Sequence, residues 1–169
     1  QTDEDGNYML CLPSSAEYAL TVTKQNYLFY SENIYLKKEG SILIKNFKLQ
    51  PLAVGEQIRL DNIFFQLDAF NLKDESKTEL NQILQFMESN PFMIVEIGGH
   101  TDNSGTTQYN LELSEQRALS VKKALVFRGL KEARILTKGY GMTKALNKNS
   151  SEKERALNRR TELKIISVE

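Results

Sequence analysis

Phe92-Met93-Ile94-Val95-Glu96-Ile97-Gly98-Gly99-His100-Thr101-Asp102-Asn103-Ser104-Gly105 is the stretch on which the reading of this chain turns. Its first six residues are mostly apolar on both alternating faces, which predicts a strand in a central position. Gly98 and Gly99 end that strand, and a tight polar loop follows at its carboxyl end, where crevices form in open α/β sheets. Working outward, the spacing Leu111, Ser114, Ala118, Val121, Leu125 predicts a long helix over 107–127 that stops near Gly129, then a strand over 134–140. Upstream, residues 58–67 read as a strand. Asp74-Glu75-Ser76 then opens a helix with the stripe Leu80, Ile83, Leu84, Met87, which Asn90-Pro91 stops. Past residue 140 a polar loop leads to Ser150-Ser151-Glu152, a cap for a short helix over 152–157, and a last strand over 160–168. The order β-α-β-α-β-(short α)-β predicts an α+β sandwich with helices on one face of a mixed sheet.

Residues 1–50 follow a different pattern. Short β-branched and aromatic runs at 7–12, 18–23, 27–36 and 42–49, the last two split by Glu39-Gly40, predict a small antiparallel all-β sandwich. Four strands make only part of one, and the segment opens on the turn Asp3-Glu4-Asp5-Gly6-Asn7, so the expectation is a piece of a longer protein. Thr2, Asp3, Gly6 and Tyr8, the Leu12-Pro13 pair and the strands at Tyr18 and Tyr27 resemble the carboxypeptidase regulatory-like domain, without its usual glycine at Ser15-Ala16-Glu17. The resemblance implies a spacer or docking module without chemistry. The expected division is a partial β domain over 1–50, a linker over 51–57 and an α+β domain over 58–169.

Composition narrows the function classes. Of 169 residues, 22 are Lys or Arg and 22 are Asp or Glu, so no global field draws the chain onto nucleic acid, and charge-based recognition has to be local. Arg155, Arg159 and Arg160 cluster without interleaved aromatics, which argues against a nucleic-acid module. No apolar run reaches the roughly 18–20 residues of a membrane span. The single cysteine, Cys11, excludes an internal disulfide and reads as a buried strand residue. His100 is the lone histidine, so Ser-His-Asp, Cys-His and multi-histidine metal arrangements lack parts; no metal or cofactor is expected.

The candidate site is the Gly99–Gly105 loop with the start of the long helix. Asp102 is displayed at a sheet edge. Asn110 and Arg117, seven residues apart, project within about 20° of one another on a helix, and the Arg117 stem borders the apolar stripe beside Leu113 and Ala124. An acid and an arginine converging there have two readings. One is an internal salt bridge. The other is a clamp for a zwitterion, with Asp102 accepting from an ammonium and Arg117 gripping a carboxylate in a bidentate fork. Arg159 and Arg160 are adjacent, so at most one of them faces the crevice, the other being braced against a carboxylate such as Glu162. Gly139-Tyr140-Gly141 is too short for a phosphate loop and reads as a strand-ending turn.

Phe64-Phe65 with Asp68, the Gly99-His100-Thr101-Asp102 loop, Asn110, Leu113, Ser114, Arg117, Ala118 and Val121, then Gly139-Tyr140-Gly141, Arg155-Ala156 and Asn158-Arg159-Arg160 together resemble the OmpA-like C-terminal domain. That is the peptidoglycan-binding module shared with peptidoglycan-associated lipoprotein and flagellar motor stator proteins. The resemblance covers about residues 56–168. It implies a non-enzymatic protein in which Asp102 and Arg117 hold the ammonium and carboxylate of diaminopimelate in the peptidoglycan stem peptide. Asn110 then supports them, and Phe65, Asp68, Thr101, Leu113 and Arg159 fill secondary positions. Gln66, Glu154 and Ala145 depart from the family pattern. The order of segments resembles multidomain envelope proteins of Bacteroidetes-type bacteria, some tied to type IX secretion. It implies a periplasmic, outer-membrane-associated protein whose partners are the stem peptide and outer-membrane or secretion-machinery proteins. The alternatives are a cell-wall hydrolase, for which an amidase wants a metal cluster and a muramidase paired carboxylates, and a protein–protein scaffold without wall binding.

Overall fold

A computed structural model describes residues 2–37, 42–66 and 68–169. The expected turn at Glu39-Gly40 and the Leu67 end of the strand expected over 58–67 lie outside the described residues. The chain runs β1 (Ala16–Val22), β2 (Tyr30–Leu36), β3 (Gln57–Arg59), α1 (Lys77–Glu88), β4 (Ile94–His100), α2 (Thr107–Phe127), β5 (Ile135–Gly141), α3 (Glu152–Asn158) and β6 (Thr161–Ser167), with 3-10 turns at Asp74–Ser76 and Glu132–Arg134. From β3 onward this is the expected element order.

Strands β3, β6, β4 and β5 lie in that order in one mixed sheet, β4 parallel to β5 and antiparallel to β6. Val95 and Ile97 of β4, Ile135 of β5 and Leu163 and Ile165 of β6 are all 0% exposed, and β4 takes the central place expected for the 92–97 run. The strand covers 94–100, however, with Gly98 and Gly99 inside it, and Phe92 lies 74% exposed before it. The apolar face of these strands meets Leu80, Ile83 and Met87 of α1 and Ala118, Val121 and Leu125 of α2. Charged residues Glu96, Glu162 and Lys164 alternate with them in the partly open positions.

Helix α2 has the bounds expected from sequence. Its buried face begins at Asn110, not at Leu111, which is 43% exposed. The polar Asn110 goes inward because loop carbonyls are there to accept from its amide. Gly99 and Gly139 let this helix lie against the strands. A Cβ on Gly99 would collide with the Ser114 carbonyl, and one on Gly139 would meet the Leu111 carbonyl oxygen at 2.7 Å. Gly139 therefore serves helix–sheet approach inside β5, correcting its reading as part of a strand-ending turn.

The strand expected over 58–67 is short. Leu60 still donates to the Thr161 carbonyl at 2.9 Å, but the chain turns at Asp61-Asn62 and leaves the sheet. Asn62 is 3% exposed and points into the protein, where Nδ2 donates to Ser31 Oγ at 2.9 Å and to Glu79 Oε2 at 3.1 Å. The apolar pattern from 63 onward therefore belongs to a loop pinned by Ser76, whose Oγ accepts from the Phe64 amide at 2.9 Å.

In the N-terminal segment β1 and β2 form an antiparallel hairpin with Ala19 opposite Asn33. The expected strands at 7–12 and 42–49 are not strands. Cys11, expected to be buried in one of them, is exposed, since no partner strand covers its segment. The hairpin packs on the larger unit. Leu28 and Phe29 are each 3% exposed within the same core cluster as Ile83 and Met87, and the Phe29 ring meets Phe86 edge-on at 5.3 Å. Ser31 donates to Glu79 of α1 at 2.8 Å. Tyr27 bridges Pro51, and Leu52 packs against the core, so the stretch expected as linker begins in contact. Among the described residues no helix is long and apolar enough to cross a membrane.

Candidate functional site

The loop after β4 is held by its backbone. His100 donates to the Arg160 carbonyl at 3.0 Å and Thr101 to the Gly141 carbonyl at 2.9 Å, so strands on both sides fix where Asp102 emerges. Asn110 then ties the loop to α2, its Nδ2 donating to the Ser104 carbonyl at 2.8 Å and the Asp102 carbonyl at 3.3 Å. Gly105 takes φ +82°, which lets the loop turn into the helix, and Thr106 caps that helix by accepting from the Tyr109 amide at 3.2 Å.

Asp102 is only 6% exposed. Its Oδ1 accepts from the Ser104 amide at 2.8 Å and its Oδ2 from Arg159 Nη1 at 2.7 Å. Burial alone would raise its pKa, but the bonds from Arg159 and Ser104 outweigh burial and hold the carboxyl below the usual carboxylate range. It is a fixed, ionised acceptor at neutral pH.

Arg117 sits half-buried on α2. Its Nε donates to the Ala69 carbonyl at 3.0 Å, and its guanidinium carbon lies 5.2 Å from the centroid of the Phe65 ring, a cation–π arrangement. Among the described residues no carboxylate lies within ion-pair distance of it. Desolvation lowers its pKa, while Tyr109 first and then Asp68 and Asp102 oppose that and Arg159 adds to it. The internal salt bridge between Asp102 and Arg117, one of the two readings of that pair, is therefore not formed among the described residues. Asp102 pairs with Arg159, and Arg117 is braced by a ring and a carbonyl with its charge uncompensated by direct contact.

Phe65 is the platform under Arg117. Asp68, exposed at φ +48°, acts on Arg117 through its charge only. Thr101 is 4% exposed and its Oγ1 has no partner among the described residues. Leu113 is half-buried on α2. Of the two adjacent arginines, Arg159 reaches Asp102 while Arg160, 8% exposed, donates to Glu162 at 2.6 Å, which matches the expectation that one at most faces the crevice. Lone His100 stacks on Tyr140 at 5.0 Å with Nε2 3.1 Å from Glu162 Oε2. Burial opposes ionisation of Glu162, yet His100 and Arg160 bring its pKa down to about 2. This group braces the floor beneath the loop. Among the described residues no three His, Cys, Asp or Glu side chains converge as metal ligands.

Three features escaped the sequence reading. Ser104, two residues after Asp102, has the spacing of an Asx turn, a signal that was there to be used. The Ala69 carbonyl left no signal, being backbone. Glu152, which accepts from Arg159 Nη2 at 2.6 Å, was visible only as a helix-capping acid.

A four-stranded mixed sheet backed by two helices is the fold of OmpA-like domains. The model of the OmpA family matches residues 64–159, and the chain belongs to that family. It is 37% identical over 119 residues to outer membrane protein A of Bordetella avium, covering 70% of this chain and 61% of that one. It is 36% identical over 115 residues to outer membrane porin F of Pseudomonas fluorescens, covering 68% of this chain and 35% of that one. The chain thus spans about a third to three-fifths of the length of these relatives. Among solved structures, the peptidoglycan-associated lipoprotein from Burkholderia pseudomallei superposes with a TM-score of 0.57 at 32% identity, over 61% of this chain and 87% of that one. The family model begins at residue 64, and the carboxypeptidase regulatory-like resemblance of residues 1–50 stays a likeness of sequence.

Proposed function

We propose that the protein binds peptidoglycan non-covalently through diaminopimelate of the stem peptide, and so anchors an outer-membrane-associated protein or complex to the cell wall. Asp102 accepts from the ligand ammonium and Arg117 takes the carboxylate, with Asn110 fixing the loop. The observation that carries this reading is an ionised, nearly buried acid beside a desolvated arginine that has no carboxylate of its own. Arg117 lacks the carboxylate that an amino-acid head group supplies, and Asp102, held by one arm of Arg159, offers its charge to the ammonium. The family and the relatives named for the outer membrane and peptidoglycan support it, as does the Pseudomonas aeruginosa structure titled a cell wall anchor of the T6SS, 29% identical with a TM-score of 0.57. Periplasmic placement goes with that anchoring role. Service in type IX secretion rests on the order of the two segments alone, and the geometry of the site neither uses nor needs it.

A few charge-assisted hydrogen bonds, less the cost of association, give one domain a Kd of about μM to mM for one stem. Many stems on one polymer turn that into firm attachment. The test is pull-down by purified sacculi. Arg117→Ala is expected to lose about 2–5 kcal/mol of binding, because the ligand carboxylate is left unpaired in a desolvated place. Undiminished pull-down by that variant sinks the assignment. Release of soluble fragments from the sacculi by the wild type would instead favour the hydrolase reading.

A further inference from the structure

The charges around Asp102 form a chain of acids and bases. Arg159 gives one arm to each of two acids: Nη1 to Asp102 Oδ2 at 2.7 Å and Nη2 to Glu152 Oε1 at 2.6 Å. Glu152, the first residue of α3, is itself engaged on its other oxygen by Arg155 Nε at 3.0 Å. The two acids differ in setting, the Asp102 side chain being 8% exposed and that of Glu152 67%. A guanidinium facing a single carboxylate closes a two-bond fork over both oxygens. Here the fork is opened by sharing, and one guanidinium arm instead of two reaches Asp102, whose other contacts among the described residues come from Ser104.

We propose that Glu152 is a positioning residue of the binding site, holding Arg159 in one-armed contact with Asp102 so that the carboxylate keeps an open edge and charge for a ligand ammonium. The inference rests on the reading of Asp102 as the ammonium acceptor. Asp102 and Glu152 are the two acids that Arg159 pairs with among the described residues, so that without Glu152 its second arm is released to close on Asp102. The closed fork then occupies the lone pairs the ammonium needs and neutralises the charge that attracts it. Glu152 thus acts on the ligand through Arg159, without touching the ligand itself.

The measurement is a double-mutant cycle by calorimetric titration of the 169-residue chain with the tripeptide L-Ala-γ-D-Glu-meso-diaminopimelate. Glu152→Gln keeps shape and removes charge at an exposed position, and is expected to weaken binding about three- to tenfold, in the range of a charged contact acting at one remove. In the Arg159→Ala background the same Glu152→Gln change is expected to alter affinity less than about twofold, because its intermediary is gone. An equal loss in both backgrounds overturns the proposal, since Glu152 would then act by direct contact or by its field alone. No loss in the single variant overturns it too. Failure of the wild type to bind the tripeptide overturns the ammonium reading of Asp102 and this proposal with it, whereas failure of the cycle alone leaves the wild-type titration intact.

Discussion

At the scale of single residues, the site depends on which groups are ionised. The Asp102 carboxyl is held below its ordinary range by Arg159 and the Ser104 amide against burial. A group with a depressed native pKa stabilises the fold above its unfolded pKa and loses that contribution as pH falls through the native value. Asp102→Asn is therefore expected to lose stability relative to wild type at neutral pH and to converge with it in acid, measured by denaturant midpoints from pH 7 downward. Glu79 runs the other way. It is 1% exposed, with Oε2 accepting from Ser31 and Asn62 and Oε1 unpartnered, and burial raises its pKa. A raised native pKa favours the fold below the unfolded value and loses that advantage as pH climbs through the native one. Glu79→Gln is expected to become more stable than wild type, relative to acid, as pH rises past the usual glutamate range. Parallel pH profiles for the two proteins would contradict this.

At the scale of elements, the meeting of α2 with β4 and β5 decides whether the two arms of the site keep their spacing. Gly99 and Gly139 face backbone of α2 with no room for a methyl group. Gly139→Ala is expected to cost about 1–3 kcal/mol, the range for overpacking, and to weaken tripeptide binding as well, because the helix carrying Arg117 has to shift. Thermal midpoints and calorimetric titration of that variant check both. Much of this level was legible in the sequence. The 107–127 periodicity reflects burial of one face of a helix, which local pattern encodes directly, while the apolar 92–97 run located a strand at a central place although only its Val95 and Ile97 face is fully covered. The 58–67 run misled because its inward residues from Asn62 on meet α1 and the hairpin, partners that are distant in sequence. Arg159 was ranked below Arg117 for a similar reason, since its bond to Asp102 spans 57 residues. Cys11 was misjudged because a strand pattern without a partner strand does not bury its residues.

At the scale of the whole molecule, the N-terminal hairpin shares the core of the OmpA-like unit through Leu28 and Phe29 and a buried polar contact through Ser31. Phe29→Ala is expected to destabilise by about 3–5 kcal/mol, the range for a buried aromatic truncated to alanine, and to lower a single calorimetric transition. Two separate transitions in the wild type would show that the hairpin unfolds on its own. The polar trio Ser31, Asn62 and Glu79 sets where the hairpin docks, because an acid with two donors supplied by two segments is satisfied in one register only.

The glycine contacts under α2 carry a consequence for kinetics. With the helix seated directly on the strands, the two charged arms have no hinge between them, and a guest arrives at a surface already in its receiving shape. Capture then needs no rearrangement of the backbone and release waits on none. A grip of this kind is expected to associate at the ordinary docking rate of about 10⁵–10⁷ M⁻¹s⁻¹ and to be abandoned just as readily. Under the proposed anchoring role, such turnover keeps an attached body in step with a mesh whose strands are continually cut and replaced.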